Sequence, residues 1–494
     1  MGIKAALSLP YARWITARVM RRAMDPERAQ GEVLRMLIRT ARDTAFGKEH
    51  RLSGVQDHAS LAQAVPLHDY EGLRPYLDRV IAGEADVLWP GRPIYLSKTS
   101  GTTSGAKYIP ITRQSMPHHI HAARNALLAY IAGTGNTAFV DGKMIFLQGS
   151  PVLDRSGAIP SGRLSGIVAD HVPAYLQRNR MPTRATNTIP DWESKVEAIV
   201  TETMNADMRL ISGIPAWTQM YFERLLARTG KRNVREVFPA FSLFVYGGVN
   251  YAPYRDRMRA LIGGDVDSIE LFPASEGFIA WQDRRDDEGL LLNTASGIYF
   301  EFIPQEHGSA PAKRIPLAGV RVGMNYALVL HTNAGLWGYE IGDTVRFVSL
   351  DPPRIVVTGR TKHFTSAFGE HVIAEEVEGA LKDAMAGQPC EVSEFTVAPQ
   401  TAPAEGGLPY HEWFIEFAQP PRDLSRFAAV LDEAMMRRNV YYKDLITGSV
   451  LRPLVITSVE RGGFNRWMKA RGMNDAQSKV PRLANDRRYT EGLV

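Results

Sequence analysis

The chain carries a single cysteine among 494 residues. Cys390 can form no internal disulfide and offers no paired metal ligand, which points to a reducing, cytoplasmic setting. It stands beside Pro389 and near Gly387, in an expected loop far from every motif, and reads as structural. A thioester intermediate on the protein is therefore not expected. No uninterrupted apolar run approaches the length that spans a bilayer. The N-terminus has Lys4, Arg13, Arg18, Arg21 and Arg22 among apolar residues, but no compact hydrophobic stretch with a small-residue cleavage site. That pattern predicts a helix packed on the body with its arginines in water, not a secretion signal or a stable membrane anchor. A strong charge of one sign is missing too. The net charge of +5 is small for this length, fits anionic small-molecule substrates and does not call for nucleic acid.

Small hydroxylated residues and glycines are concentrated in one place, Leu96-Ser97-Lys98-Thr99-Ser100-Gly101-Thr102-Thr103-Ser104-Gly105-Ala106-Lys107. Glycines let backbone N–H groups converge on an anion, hydroxyls add donors, and Lys107 adds a mobile positive charge. The alternative is a slack Ser/Gly turn. The return to extended apolar chain at Tyr108-Ile109-Pro110 favours a held loop that cradles a triphosphate. A Walker motif is excluded, because it needs Gly-Lys-Ser/Thr leading into a helix and Lys107 is followed by Tyr108 and Pro110.

Periodicity predicts a helix over 26–44, with Asp25 as its cap, Pro26 at its start, and Leu34, Leu37, Ile38 and Ala41 on one side. Further helices are expected over 116–132, 191–204, 217–228, 374–386 and 425–439. Strands are expected over 94–96, 143–147, 241–246, 269–272, 298–303, 327–330, 395–397 and 413–417. Interleaved helices and strands give an α/β chain with a β-rich lobe near residues 290–350. The length exceeds one ordinary domain. A domain break is expected just after Arg360, leaving a small α+β module, and Pro399 to Pro409 reads as one exposed loop.

Three segments carry a family resemblance. The hydroxyl-rich loop resembles the Ser-Gly-Thr-Thr loop of adenylate-forming enzymes, which activate carboxylic acids with ATP. Phe272-Pro273-Ala274-Ser275-Glu276 resembles the Tyr-Ala-Ser-Ser-Glu motif of the GH3 family of acyl-acid amido synthetases, and Tyr339-Glu340-Ile341-Gly342-Asp343-Thr344 its Tyr-Arg-Val-Gly-Asp-Val motif. The three stand in family order. Phe46-Gly47-Lys48-Glu49-His50 is similar to a segment of bacterial GH3-like chains.

The resemblance implies an adenylate-forming, luciferase-like fold: a large N-terminal domain (1–360) with α/β layers and a β-barrel, then a small mobile C-terminal domain (361–494). It implies a monomer that uses ATP and Mg2+, makes an acyl-adenylate from a carboxylic acid, and transfers the acyl group to an amine, with an amino acid as the expected acceptor. Ser100, Gly101, Thr102, Thr103, Ser104 and Lys107 would bind phosphates. Glu276 would hold the metal, with Phe272, Ala274 and Ser275 beside it, although Phe272 lacks the hydroxyl of the family's tyrosine. Asp343 would bind the ribose diol through two charge-assisted hydrogen bonds, while Glu340 reverses the family's arginine. Gly247, Gly248 and Val249 match the adenine pocket, and Tyr246 either stacks on the base or belongs to the core. Arg360 and Lys362, at the expected domain joint, are candidate ribose or phosphate contacts. Lys479, in Gln477-Ser478-Lys479-Val480-Pro481-Arg482, matches the family's C-terminal lysine pattern.

Two other readings stay open: an acyl-CoA ligase using the same adenylation step, and an adenylate-binding protein without turnover. The acid is not legible. Trp217, Met220, Tyr221 and Leu225 either line its pocket or form core, the better reading for an apolar helical stripe. His118, His119 and His121 are expected at a solvated or core-edge helix start and not as a metal site.

Overall fold

The computed structural model describes residues 3–99, 107–172, 177–249, 251, 254–285, 289–305, 313–360, 364–370, 372–471 and 481–493. Its helices of two turns or more are α1 (Ile3–Ala23), α2 (Pro26–Ala41), α3 (Tyr70–Ile81), α4 (Met116–Thr134), α5 (Trp192–Thr203), α6 (Pro215–Thr229), α7 (Arg255–Ile262), α8 (Ala374–Gly387), α9 (Leu424–Arg438), α10 (Val440–Thr447) and α11 (Gly463–Ala470).

Helix α2 starts as the sequence requires, with Asp25 accepting from the Arg28 N–H and Pro26 in the first turn. It ends at Ala41, earlier than its periodicity suggests. The Thr44 hydroxyl donates to the Ala41 carbonyl and accepts from the Gly47 N–H, capping a separate helix, Ala45–Glu49. Gly47 permits this turn, since a Cβ there would lie 2.1 Å from the Ala41 carbonyl oxygen. Helix α1 packs against α4 through Ala12, Ile15 and Ala23.

The strands are β1 (Tyr95–Thr99), β2 (Lys107–Ile111), β3 (Lys143–Phe146), β4 (Ser161–Gly162), β5 (Arg180–Met181), β6 (Met208–Ser212), β7 (Leu243–Gly247), β8 (Asp267–Ala274), β9 (Gly277–Trp281), β10 (Leu290–Leu292), β11 (Ile298–Pro304), β12 (Ile315–Pro316), β13 (Asn325–Thr332), β14 (Tyr339–Leu350), β15 (Pro353–Arg360), β16 (Phe364–Thr365), β17 (Val372–Ile373), β18 (Glu391–Gln400), β19 (Tyr410–Gln419) and β20 (Val455–Val459). Twelve of them form one sheet in the order β12-β11-β13-β14-β15-β10-β9-β8-β7-β6-β3-β5. From β8 to β5 the pairs are parallel, and from β12 to β8 antiparallel. The expected β-rich lobe is thus the antiparallel half of a sheet whose other half is parallel, and β8 joins the two. Strand β15 lies in a stretch read only as the approach to a domain break, and it pairs with both β14 and β10.

Among the described residues three smaller sheets complete the arrangement, one of them the two-stranded β16-β17. β2-β1-β4 carries the hydroxyl-rich segment, and β18-β19-β20 forms the C-terminal sheet, flanked by α8 and α9. The 399–409 loop joins β18 to β19 and is largely exposed around its tip, as expected. One apolar core lies behind the antiparallel half, where the buried Gln30 of α2 donates to the Thr294 and Ile298 carbonyls and accepts from the Phe300 N–H. A second core is shared: Ile211, Phe244 and Tyr254 belong to the same cluster as Phe368, Trp413 and Leu445.

Candidate functional site

Ligands of open parallel sheets sit outside the carboxyl ends of the strands. Here the ends of β7 and β8, and the turn after β6, open into a cavity of about 910 Å³. Its wall includes Lys107, Gly248, Val249, Phe272, Ala274, Ser275, Glu276 and Asp343, which the sequence had separated by more than two hundred positions.

Each is placed by local backbone. Strands β8 and β9 form a tight hairpin whose two turn residues are Ser275 and Glu276. The Ser275 Oγ lies 2.9 Å from the Ser97 Oγ, which fixes the turn against β1. Thr99 and Lys107 pair across the β1–β2 ladder, so both ends of the hydroxyl-rich loop are anchored. Tyr70 of α3 supports the second end: its hydroxyl accepts from the Tyr108 N–H at 3.0 Å, and the Lys107 Nζ lies 5.7 Å from its ring centre. Gly342 has a left-handed φ of +90°, and the next residue, Asp343, faces the cavity from β14 beside Thr358 and Gly359 of β15. Gly248 is left-handed as well, with φ +83°.

The remaining expected residues fall in different places. Gly247 is not on the cavity wall; a Cβ there would lie 2.3 Å from the Leu271 carbonyl, so its glycine serves the close approach of β7 and β8. Arg360 pairs with Asp343 through its backbone at the end of β15. Ser100, Gly101, Thr102, Thr103, Ser104, Lys362 and Lys479 lie outside the described residues. Met220, Tyr221 and Leu225 are core, whereas Trp217 reaches the cavity. Tyr246 is both a core member and a wall residue, flanked by Phe244 and Tyr251. Of the two settings expected for the histidines, solvated or core-edge, His119 is buried, and burial pushes its imidazole down to about 4. Among the described residues no group of three or more His, Cys, Asp or Glu could hold a metal.

Other wall residues were not foreseen. Glu270 of β8 faces the cavity, and burial pushes its carboxyl up to about 7. The only hint in the sequence is one acid inside an apolar strand. Arg163, Tyr441 and Asp444 also line the cavity and form a joint described below. They belong to no motif. Cys390 is partly buried, packs against the second core, and has its thiol pushed up by burial, in keeping with a structural role.

Against this geometry the chain was compared with known proteins. It matches the GH3 family N-terminal domain over residues 16–171, the GH3 family central domain over 291–360 and the GH3 family C-terminal domain over 375–488. The chain belongs to the GH3 family. Among GH3 relatives, an indole-3-acetic acid-amido synthetase, GH3.3 of Arabidopsis thaliana, is 29% identical over 92% of this chain and 89% of its own length. A jasmonoyl–L-amino acid synthetase, JAR4 of Nicotiana attenuata, is 21% identical over 65% of this chain and 67% of its own length. The solved structure of the AtGH3.15 acyl acid amido synthetase in complex with 2,4-DB superposes with a TM-score of 0.62 at 16% identity, covering 97% of this chain and 95% of that one. The two chains share one fold. Among the described residues no helix is long and apolar enough to cross a membrane.

Proposed function

We propose that this GH3 chain is an ATP-dependent acyl-acid amido synthetase: a carboxylic acid and ATP give an acyl-adenylate and pyrophosphate, and the acyl group then passes to an amine, in our reading an amino acid. The observation that carries this is the convergence of Lys107, Ser275, Glu276 and Asp343 on one cavity at the carboxyl ends of the parallel strands. We divide the chain functionally into a large body (1–360) and a small one (361–494), acting as a monomer in the cytoplasm.

Each residue in this reading has a physical task. Two anions must meet when a carboxylate attacks the α-phosphorus, so charge has to be neutralised as it moves to pyrophosphate. Lys107 and the hydroxyl-rich loop supply donors and positive charge for the β- and γ-phosphates and hold the leaving group in line. Ser275, braced by Ser97, offers a hydroxyl near the α-phosphate. Asp343 accepts hydrogen bonds from the ribose diol. The base lies against Tyr246, Gly248 and Val249. Phe272 gives an aromatic wall without a hydroxyl. Arg360 and Lys479 are basic candidates for the phosphates or ribose.

Mg2+ takes few protein ligands and many from water and phosphate. Glu276, at the β8–β9 turn on the cavity wall, with no group of three or more acidic, histidine or cysteine ligands among the described residues, fits that habit. When bound there, Mg2+ would screen the charge of the phosphates.

The test is acid-dependent exchange of pyrophosphate into ATP across a panel of aryl and alkyl carboxylic acids, with hydroxylamine present in parallel to trap acyl-adenylates. Exchange together with hydroxamate supports adenylation. ATP binding without exchange for any acid favours the non-catalytic reading, and competition between amino acids and CoA as acceptors separates the synthetase from the acyl-CoA ligase. Replacing Glu276 by alanine should reduce exchange about 100-fold or more without lowering the melting temperature. An active Glu276→Ala enzyme at ordinary magnesium would remove the metal assignment.

A further inference from the structure

Arg163 follows β4, next to the strand that leads into the hydroxyl-rich loop, and Asp444 lies on α10 in the C-terminal part of the chain. The two form an ion pair across the wall of the cavity, to which both contribute. Tyr441, one turn before Asp444, sets this joint. Its hydroxyl donates to the Lys98 carbonyl at 3.1 Å, and the Arg163 guanidinium lies 4.5 Å from its ring centre. Lys98 adjoins Ser97, whose hydroxyl touches that of Ser275 at the candidate α-phosphate position. One cation and one carboxylate thus stand beside the strand that reaches the reacting centre. Their side chains are 31% and 47% exposed, so both are partly desolvated and both remain open to a ligand.

We infer that Arg163 and Asp444 form the acceptor site, taking an α-amino acid as its zwitterion: Arg163 binds the carboxylate, and Asp444 holds the ammonium and accepts its proton. The inference rests on the acyl-adenylate reading above. A zwitterion is the ligand that replaces an internal ion pair charge for charge, exchanging one pair for two without leaving either side chain unpaired. An Arg fork matches a carboxylate bidentately. Burial holds the Asp444 carboxyl above the ordinary aspartate range, while Arg163, Lys443 and Lys98 pull it the other way. A carboxylate raised in this manner is a better proton acceptor for an ammonium.

The step balances. Asp444 removes one proton from the ammonium, and the freed lone pair forms the C–N bond at the acyl carbon. The bond from that carbon to the phosphate oxygen breaks, AMP leaves with the electron pair, and the second nitrogen proton goes to the departing phosphate. The joint also explains selectivity against water, because the nucleophile is the species that both charges retain.

Three assays on the full chain test this: acid-dependent pyrophosphate exchange, hydroxamate formation, and amide formation with L-amino acids or with amines lacking the carboxylate. Hydroxylamine is already unprotonated at neutral pH and needs no base. Asp444→Asn should keep exchange and hydroxamate formation while amide formation falls about 100-fold or more, with the deficit shrinking as the pH rises. Arg163→Met should raise the KM for amino acids about tenfold or more and leave carboxylate-free amines unaffected, with partial rescue in Arg163→Lys. Unchanged amide formation in Asp444→Asn would overturn the inference. So would exchange, hydroxamate and amide formation falling together, which would make the pair a brace between the two parts of the chain. Wild-type protein that shows no exchange with any acid would instead remove the adenylation reading itself.

Discussion

Glu270 is a half-buried carboxyl on the wall of a cavity built for anions, and its titration follows from that position. Burial pushes it from 4.5 to about 7, so the native state binds a proton that the unfolded chain has already released within this interval. Stability must then fall as the pH rises from 4.5 to about 7. Glu270→Gln removes the penalty. The variant's melting temperature should gain on that of the wild type between pH 5 and pH 8, as thermal melts at the two values would show; a difference independent of pH would mean that the carboxyl is solvated. Residues of this kind explain what the sequence leaves hidden. Glu276 and Asp343 are legible because each stands inside a recognisable motif. Glu270, Arg163 and Asp444 stand in unremarkable context, and their meaning comes from elements that meet only in the fold. Gly247 is legible as a glycine that matters but not for its reason, since the crowding against Leu271 requires the register of β7 on β8.

At the scale of elements, periodicity served well wherever an apolar face decided the outcome. α2, α4, α5, α6, α8 and α9 all stand close to their expected positions, as do the core strands β7, β11, β13 and β19. Boundaries moved where a hydroxyl or glycine reorganised the backbone, as Thr44 and Gly47 do after α2. Polar ties between distant elements were beyond reach. Glu301 of β11 is an example: His331 of β13 donates to it through Nε2 at 2.8 Å, Arg314 lies 3.1 Å away, and His58 of the short helix His58–Ala64 lies 2.9 Å away. The Gly338 N–H donates to the other His331 nitrogen, which leaves Nε2 as the protonated one. Burial alone would raise the Glu301 carboxyl, but these partners hold it well below the usual carboxylate range. The stability it contributes is present above 4.5, the ordinary value, and is lost as the pH falls through the depressed native value. Glu301→Gln should cost about 3 kcal/mol at pH 7, because it leaves the Arg314 charge buried without its carboxylate. The gap should narrow in acid. Urea unfolding of both proteins at pH 7 and pH 4 checks both the size and the sign, and equal costs at the two values would refute the assignment.

Across the whole molecule, the segment 364–370 is bonded to elements that lie both before and after it in the chain. Toward the C-terminal part it is tied several times: the Thr365 hydroxyl donates to the Ala484 carbonyl, the Ser366 N–H to Asn485, and Glu370 pairs with His411 at 2.8 Å while accepting from the Phe368 N–H. Toward the large body, one buried hydroxyl stands out. Tyr254, at the start of α7, donates to the Ala367 carbonyl at 2.6 Å. If adenylation and acyl transfer need different placements of the C-terminal part, this bond belongs to one placement and must break for the other. Tyr254→Phe keeps the ring and its packing and removes only the donor, leaving the Ala367 carbonyl unpaired at a cost of about 1–3 kcal/mol in this arrangement. The expected outcome is a modest drop in melting temperature together with unequal changes in the two half-reactions, so that the ratio of pyrophosphate exchange to amide formation shifts severalfold. A variant in which both half-reactions change by the same factor would show that the hydroxyl stabilises the fold without governing its placement. The motifs that carry the family resemblance give no hint of this bond, which joins a tyrosine and a backbone carbonyl more than a hundred residues apart, a relation that only the folded chain creates.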